Sequence, residues 1–125
     1  MFLKKNDKLD ALVGQNSEFK GDLTTLGTLR IDGKFVGNIH ADWVVLGDSS
    51  YVKGDIISRG VVIGGKVDGN VIADESVEIR PKGELFGDLN TKELSVAEGG
   101  IFEGRSIVHK DETKVIDFPN KEASK

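Results

Sequence analysis

A short signature recurs along the chain at nearly constant spacing. It consists of a glycine, then aspartate or asparagine, then an aliphatic residue, and it begins at Gly21, Gly37, Gly54, Gly69 and Gly87. A degraded copy begins at Gly104, so that successive glycines are 16, 17, 15, 18 and 17 residues apart. Each unit is too short to bury a core alone and must stack on its neighbours, so this spacing predicts a repeat architecture.

Hydrophobic residues hold fixed positions within each repeat. One lies two residues before the glycine, one lies two residues after it (the last copy has Ser106 there instead), and an alternating pair such as Val61 and Ile63 lies midway between signatures. Short alternating runs separated by Gly- and Asp-rich turns indicate strands rather than helices. We therefore predict an all-β, single-stranded β-helix (a β-solenoid) of about six turns. At roughly 4.8 Å per turn, the rod would be about 29 Å long.

The repeats define the expected domain organisation. The β-helix core is predicted to span residues 11–108, because Val13 to Phe19 already resembles half a repeat. Residues 1–10 are expected to form a flexible N-terminal segment and residues 109–125 a disordered, charged tail. An alternative for the tail is that its large apolar residues, Val115, Ile116 and Phe118, fold over the last turn as a cap.

The residue after each signature glycine alternates between acid and amide. It is Asp22, Asn38, Asp55, Asn70 and then Asp88. In a stack these side chains would form one surface ladder, where two carboxylates about 4.8 Å apart repel by around 1 kcal/mol even in water. Alternation doubles the charge spacing and would let the amides bridge their neighbours. The simpler alternative is a set of independent turns that each favour Asp or Asn.

Composition excludes several classes of protein. The chain has no cysteine, hence no disulfide or thiolate metal site, and no apolar run long enough to span a membrane. Residues 9–108 carry 10 basic and 16 acidic side chains without a basic stripe, which argues against nucleic acid binding. No secretory leader is evident, so we expect a cytoplasmic protein.

The first five residues suit an anionic membrane surface. Met1, Phe2 and Leu3 are apolar, and Lys4 and Lys5 follow directly. Each buried apolar side chain contributes about 1.5–3 kcal/mol, and each lysine near an anionic leaflet adds about 1 kcal/mol. The alternative is an untethered, frayed terminus.

Residues suited to catalysis or metal binding are sparse. The two histidines, His40 and His109, lie 69 positions apart, and the glycine-rich turns are not followed by helices that could bind phosphate. We expect no enzymatic activity, metal, cofactor or nucleotide. Trp43 should point outward, either packing at a corner or forming an apolar lateral patch with Val45 and Val62.

The two ends of the predicted rod are the remaining candidates for function. A solenoid leaves an unpaired strand edge at each end, and no capping helix is evident in the sequence. The N-terminal turn offers Val13 and Phe19, and the C-terminal turn offers Phe102, Ile107 and Val108. Uncapped ends predict end-to-end stacking.

These features together resemble one family. A short acidic β-rich core with Gly-Asp/Asn-aliphatic repeats, the N-terminal sequence Met-Phe-Leu-Lys-Lys and a polar tail resemble the bactofilins over residues 1 to about 108. The resemblance implies a right-handed, roughly triangular β-helix that polymerises without nucleotide into non-polar filaments, with like ends meeting. It also implies binding to the inner membrane face, and a scaffold role in cell shape or in the placement of cell-wall enzymes and other scaffold proteins.

One position departs from the repeat, and two other classes of protein stay open. Arg105 stands where the other copies have Asp or Asn, and we expect it to oppose pairing of two C-terminal ends because no nearby acid clearly restores its lost hydration. A left-handed β-helix acyltransferase would need a strict six-residue period and a catalytic histidine. A monomeric solenoid adaptor would instead bind a partner on a flat face through Trp43.

Overall fold

The computed structural model describes residues 9–108, all of whose regular structure is β-strand. Sixteen strands follow one another: β1 (Leu9–Val13), β2 (Glu18–Lys20), β3 (Leu23–Thr24), β4 (Thr28–Ile31), β5 (Lys34–Val36), β6 (Ile39–His40), β7 (Trp43–Leu46), β8 (Tyr51–Lys53), β9 (Ile56–Ile63), β10 (Lys66–Asp68), β11 (Val71–Ile79), β12 (Glu84–Phe86), β13 (Leu89–Thr91), β14 (Glu93–Val96), β15 (Ile101–Glu103) and β16 (Ser106–Val108). The first strand begins at Leu9, two residues before the predicted start of the core.

The strands wind into a coil with three faces. The first face contains β1, β4, β7, the second halves of β9 and β11, and β14. The second contains β2, β5, β8, β10, β12 and β15. The third contains β3, β6, the first halves of β9 and β11, β13 and β16. All pairings are parallel, and the predicted β-solenoid of about six turns is confirmed.

The core consists of the hydrophobic ladders predicted from the repeat. Val61, for example, pairs with Val44 on one side and Val77 on the other, and all three are at most 1% exposed. The ladder on the second face runs through Phe19, Phe35, Val52, Val67, Leu85 and Phe102. Val96 in the last turn is the exception at 44% exposed, because no further turn covers it.

The signature glycines form one corner of the coil. Gly54 has a φ of 145°, and a Cβ built on it would overlap the carbonyl oxygen of Gly37 in the preceding turn. Gly69 meets Gly54 in the same way. A side chain at this corner would therefore be strained by its backbone conformation and would also push the turns apart.

The Asp/Asn ladder beside this corner is present, with a different hydrogen-bond pattern from the one predicted. The Oδ1 atom of Asn38 accepts a bond of 3.1 Å from the backbone N–H of Asp55, and Asp55 accepts one of 3.0 Å from the N–H of Asn70. The same bond joins Asp22 to Asn38 and Asn70 to Asp88, each at 3.0 Å. The partner is thus the backbone of the next turn rather than the neighbouring side chain, and either Asp or Asn can supply the oxygen.

Two substitutions of Asn70 separate the hydrogen bond from the charge pattern. Asn70→Ala removes the acceptor and should lower the free energy of unfolding by about 0.5–1.5 kcal/mol at any salt concentration. Asn70→Asp keeps the oxygen but creates three adjacent carboxylates, costing around 1 kcal/mol per neighbour in water. Urea denaturation at about 0.01 M and about 1 M ionic strength should show that salt restores only the Asn70→Asp variant. Equal stability of Asn70→Asp and the unmodified chain at low salt would show that alternation has no electrostatic role.

Candidate polymer contact surfaces at the ends of the rod

The N-terminal end exposes one edge of three strands. β1, β2 and β3 pair with β4, β5 and β6 respectively, and no described strand lies on their other side. Such an edge presents backbone N–H and C=O groups that another chain can pair with. The described part of the chain provides no helix to cover it.

Of the two residues predicted for the N-terminal contact, neither is an exposed anchor. Val13 is 7% exposed and belongs to the core, and the half-buried Phe19 stacks on Phe35 with ring centroids 4.9 Å apart. The exposed apolar side chains near this end are instead Leu9, Leu12 and Leu26. These residues lie outside the inward positions from which the end contacts were predicted: Leu12, for example, lies one position out of that register, beside Arg30 of the next turn.

The C-terminal end has a matching open edge that is also bordered by exposed apolar side chains. β14, β15 and β16 pair with β11, β12 and β13, and no described strand follows them. Phe102 is half-buried against the core, whereas Ile107 and Val108 are exposed, as are Val96 and Ile101, which the sequence analysis did not single out. Ile107 pairs with Asn90, so it lies in an outward row of the third face.

Arg105 continues the Asp/Asn ladder with its backbone but not with its side chain. Its N–H donates to Asp88 Oδ1 at 3.3 Å, and its guanidinium donates to Asp88 Oδ2 at 3.2 Å. These bonds hold the pKa of Asp88 below its usual value. Asp88 is therefore a nearby acid that pairs with Arg105, contrary to the expectation that no nearby acid clearly restores its lost hydration. The Arg105 side chain remains 88% exposed on the last turn.

The side chains predicted to form a lateral patch around Trp43 are mostly shielded from solvent. Trp43 is half-buried, with the Arg59 guanidinium carbon 5.1 Å from its ring centroid, while Val45 and Val62 are buried. Arg59 also donates two hydrogen bonds of 2.9 Å to Asp42, which holds the pKa of Asp42 below its usual value.

The described residues contain no candidate metal-binding cluster. His40 is exposed on β6, and no group of three or more His, Cys, Asp or Glu side chains in residues 9–108 could hold a metal ion. Within those residues there is also no helix long and apolar enough to cross a membrane. His109 and the predicted membrane segment Met1 to Lys5 lie outside the described residues.

Comparison with known proteins agrees with this geometry. The match to BacP of Myxococcus xanthus (strain DK1622) is 28% identical over 97 residues, covering 77% of this chain and 40% of that protein. BacO of the same organism is 27% identical over 96 residues, covering 76% of each chain. A cryo-EM reconstruction of Thermus thermophilus bactofilin double helical filaments superposes with a TM-score of 0.72 and 25% identity, covering 79% of this chain and 99% of the other. Residues 11–107 match the family model described as bactofilin, polymer-forming cytoskeletal, and the chain therefore belongs to the bactofilin family.

Proposed function

We propose that this bactofilin is a cytoskeletal scaffold that polymerises end to end into non-polar filaments on the inner face of the cytoplasmic membrane. The observation that carries the proposal is the pair of open strand edges, each bordered by exposed apolar side chains such as Leu12 and Val96. The relative from Thermus thermophilus forms double helical filaments, which supports assembly of the same fold.

Contact between like ends has a specific structural consequence. A two-fold axis relating two identical ends reverses the strand direction, so edge strands that meet across the contact run antiparallel, although every described pairing within the rod is parallel. Head-to-tail contact would instead continue the parallel pattern. Because backbone groups and apolar side chains are sufficient for either contact, we propose that assembly needs no nucleotide.

Membrane binding in this proposal depends on many weak anchors acting together. The segment Met1 to Lys5 offers Phe2 and Leu3, whose burial contributes about 1.5–3 kcal/mol each, and two lysines that add about 1 kcal/mol each. One such anchor binds marginally, comparably to a single acyl chain. A filament that presents many copies gains effective concentration for each further contact. Such filaments could position cell-wall enzymes and thereby influence cell shape.

Two other functions fit parts of the sequence: an acyltransferase and a monomeric adaptor. The matched family is polymer-forming and cytoskeletal, which favours the scaffold over the left-handed β-helix acyltransferase. A monomeric adaptor remains the outcome to expect if neither end of the rod pairs.

Deletion of residues 1–8 tests the membrane anchor. The deletion leaves β1 intact and should abolish co-sedimentation with vesicles containing phosphatidylglycerol, because the apolar and cationic groups are lost together. The charge-reversed variant Lys4→Glu/Lys5→Glu should also fail to bind, whereas the matched variant Lys110→Glu/Lys114→Glu should bind normally. Electron microscopy should show unchanged assembly in each case. Undiminished co-sedimentation after the deletion would rule the segment out.

Substitution of Arg105 tests the C-terminal contact. Two-fold pairing brings each Arg105 near its symmetry mate, and Asp88 offsets only part of the repulsion. Burial of Phe102 and Ile107 returns at most about 1.5–3 kcal/mol each. We therefore expect the C-terminal contact of this chain to be weak, so that in solution it forms single rods or pairs joined at their N-terminal ends, and filaments grow only where the rods are concentrated, as on a membrane. Arg105→Phe or Arg105→Leu should form long filaments in solution. Light scattering and electron microscopy measure the difference.

Two control variants accompany this comparison. Arg105→Lys keeps the charge and should behave like the unmodified chain. Lys53→Phe adds the same ring at an exposed position on β8, in the middle of the rod, and should not lengthen the assemblies. Long filaments formed by the unmodified chain would show that Arg105 lies off the contact surface.

A further inference from the structure

Two valines on the outer side of the first face are buried where exposure is expected. Along β7 and the second half of β9, Val44, Leu46, Val61 and Ile63 point into the core, so that Val45 and Val62 between them point outward. Their exposed fractions are nevertheless only 7% and 3%. Outward side chains at comparable positions on the third face behave differently: Ile57 and Ile72 are 45% and 46% exposed.

The neighbours of Val62 explain only part of its burial. On its own strand it is flanked on the outer side by Gly60 and Gly64, which have no side chains to cover it. The Trp43 ring lies over Gly60, where a Cβ would overlap it, and shields that side. Across the strands lie Val45 and Glu78, and Glu78 is directed to an ion pair with Arg80 at 3.5 Å.

Trp43 itself indicates that the surface is covered. Its Nε1 atom is inaccessible to solvent and has no hydrogen-bond partner among the described residues. Arg59 covers one face of the ring, with its guanidinium carbon 5.1 Å from the ring centroid, but it does not supply an acceptor for the indole N–H, which in contact with water would be satisfied by that water. We call the surface formed by Trp43, Val45 and Val62 the outer groove.

We propose that the C-terminal segment of the same chain, Val115-Ile116-Asp117-Phe118, binds in the outer groove. Apart from Ala123 it contains all the aliphatic and aromatic residues of 109–125. In an extended segment, Ile116 and Phe118 project on one side and can contact the groove together, leaving Asp117 on the opposite side. The four lysines and four acids of residues 109–125 give this segment no net charge, so it can approach the acidic rod without strong repulsion.

The position of Val108, the last described residue, supports binding of this segment in the outer groove. Val108 borders a depression on the first face together with Ser76, Glu78, Leu94 and Ser95, so the chain leaves β16 beside the face that carries the groove. Three strand spacings separate β14 from β7, or about 14 Å at roughly 4.8 Å each. Seven extended residues reach about 23 Å, so residues 109–115 are long enough to place residues 116–118 over Val62 and Trp43.

Binding of the segment at this position would cover a lateral face of the rod without covering its two ends. The outer groove lies on a lateral face, with β4 and β1 between β7 and the N-terminal edge and with β11 and β14 between β9 and the C-terminal edge. The bound segment therefore leaves both ends free to pair. A partner that docks on the first face through Trp43 would first have to displace the segment. Binding of the segment in the outer groove does not depend on filament formation.

Trp43 is the only tryptophan in the chain and reports directly on the groove. In the full-length protein, kept below its assembly concentration, Trp43 emission should lie at short wavelength and be protected from acrylamide. Ile116→Ser/Phe118→Ser should shift the emission to longer wavelength and raise the quenching constant several-fold. The matched variant Phe2→Ser/Leu3→Ser should leave both unchanged. Addition of a synthetic peptide of residues 109–125 to the tail variant should reverse the shift.

Three results would overturn the proposal. A red shift in the Phe2→Ser/Leu3→Ser variant alone would assign the groove to the N-terminal segment. Unchanged fluorescence in both variants, with Trp43 still protected, would mean that residues 9–108 cover the groove themselves. Strong quenching of the unmodified chain would show that the groove is open.

Discussion

The close approach of successive turns at the glycine corner is the constraint on which the structure depends. At Gly54 the backbone adopts a φ of 145°, and a Cβ built there would overlap the carbonyl oxygen of Gly37, so that no side chain fits. Because this corner repeats in every turn, it fixes the stacking distance for the entire coil. The hydrophobic ladders inside and the Asp/Asn ladder outside both require that distance, since each bond in the outer ladder spans one turn at 3.0–3.3 Å.

In a rod in which each turn contacts only its neighbouring turns, nothing in the repeat limits the number of turns that can stack. Backbone groups within the rod are satisfied by the turn on either side, whereas the first and last turns each retain one open edge. The proposed assembly through those edges would extend the backbone pairing of the rod, in antiparallel rather than parallel orientation where like ends meet. Arg105 modifies this pattern locally, because its backbone continues the ladder while its side chain places a cation on the last turn. The lateral faces, including the outer groove, can act independently of the ends.

The sequence predicted most of the fold because one residue spacing fixes it. Register, inward residues such as Val61 and the number of turns all follow from the glycine signatures, and the structure confirms them. The candidate contact surfaces at the ends of the rod were less predictable from the sequence. An inward position says little about an end surface: Val13, predicted for the N-terminal contact, is buried, whereas the exposed Leu12 lies outside the inward positions of the repeat. The ion pair of Arg105 with Asp88 depends on the conformation of a long exposed side chain, which spacing cannot specify.

Amide hydrogen exchange tests the claim of end-to-end assembly most directly. Lateral contacts between rods leave the strand pairing unchanged, so only end-to-end contact can protect backbone N–H groups of the terminal strands. Comparing dispersed with assembled protein, we predict slower exchange in β1–β3 for the unmodified chain. For the Arg105→Phe variant, we predict slower exchange in both β1–β3 and β14–β16. Assembled particles whose terminal strands exchange as fast as those of the dispersed protein would contradict the account.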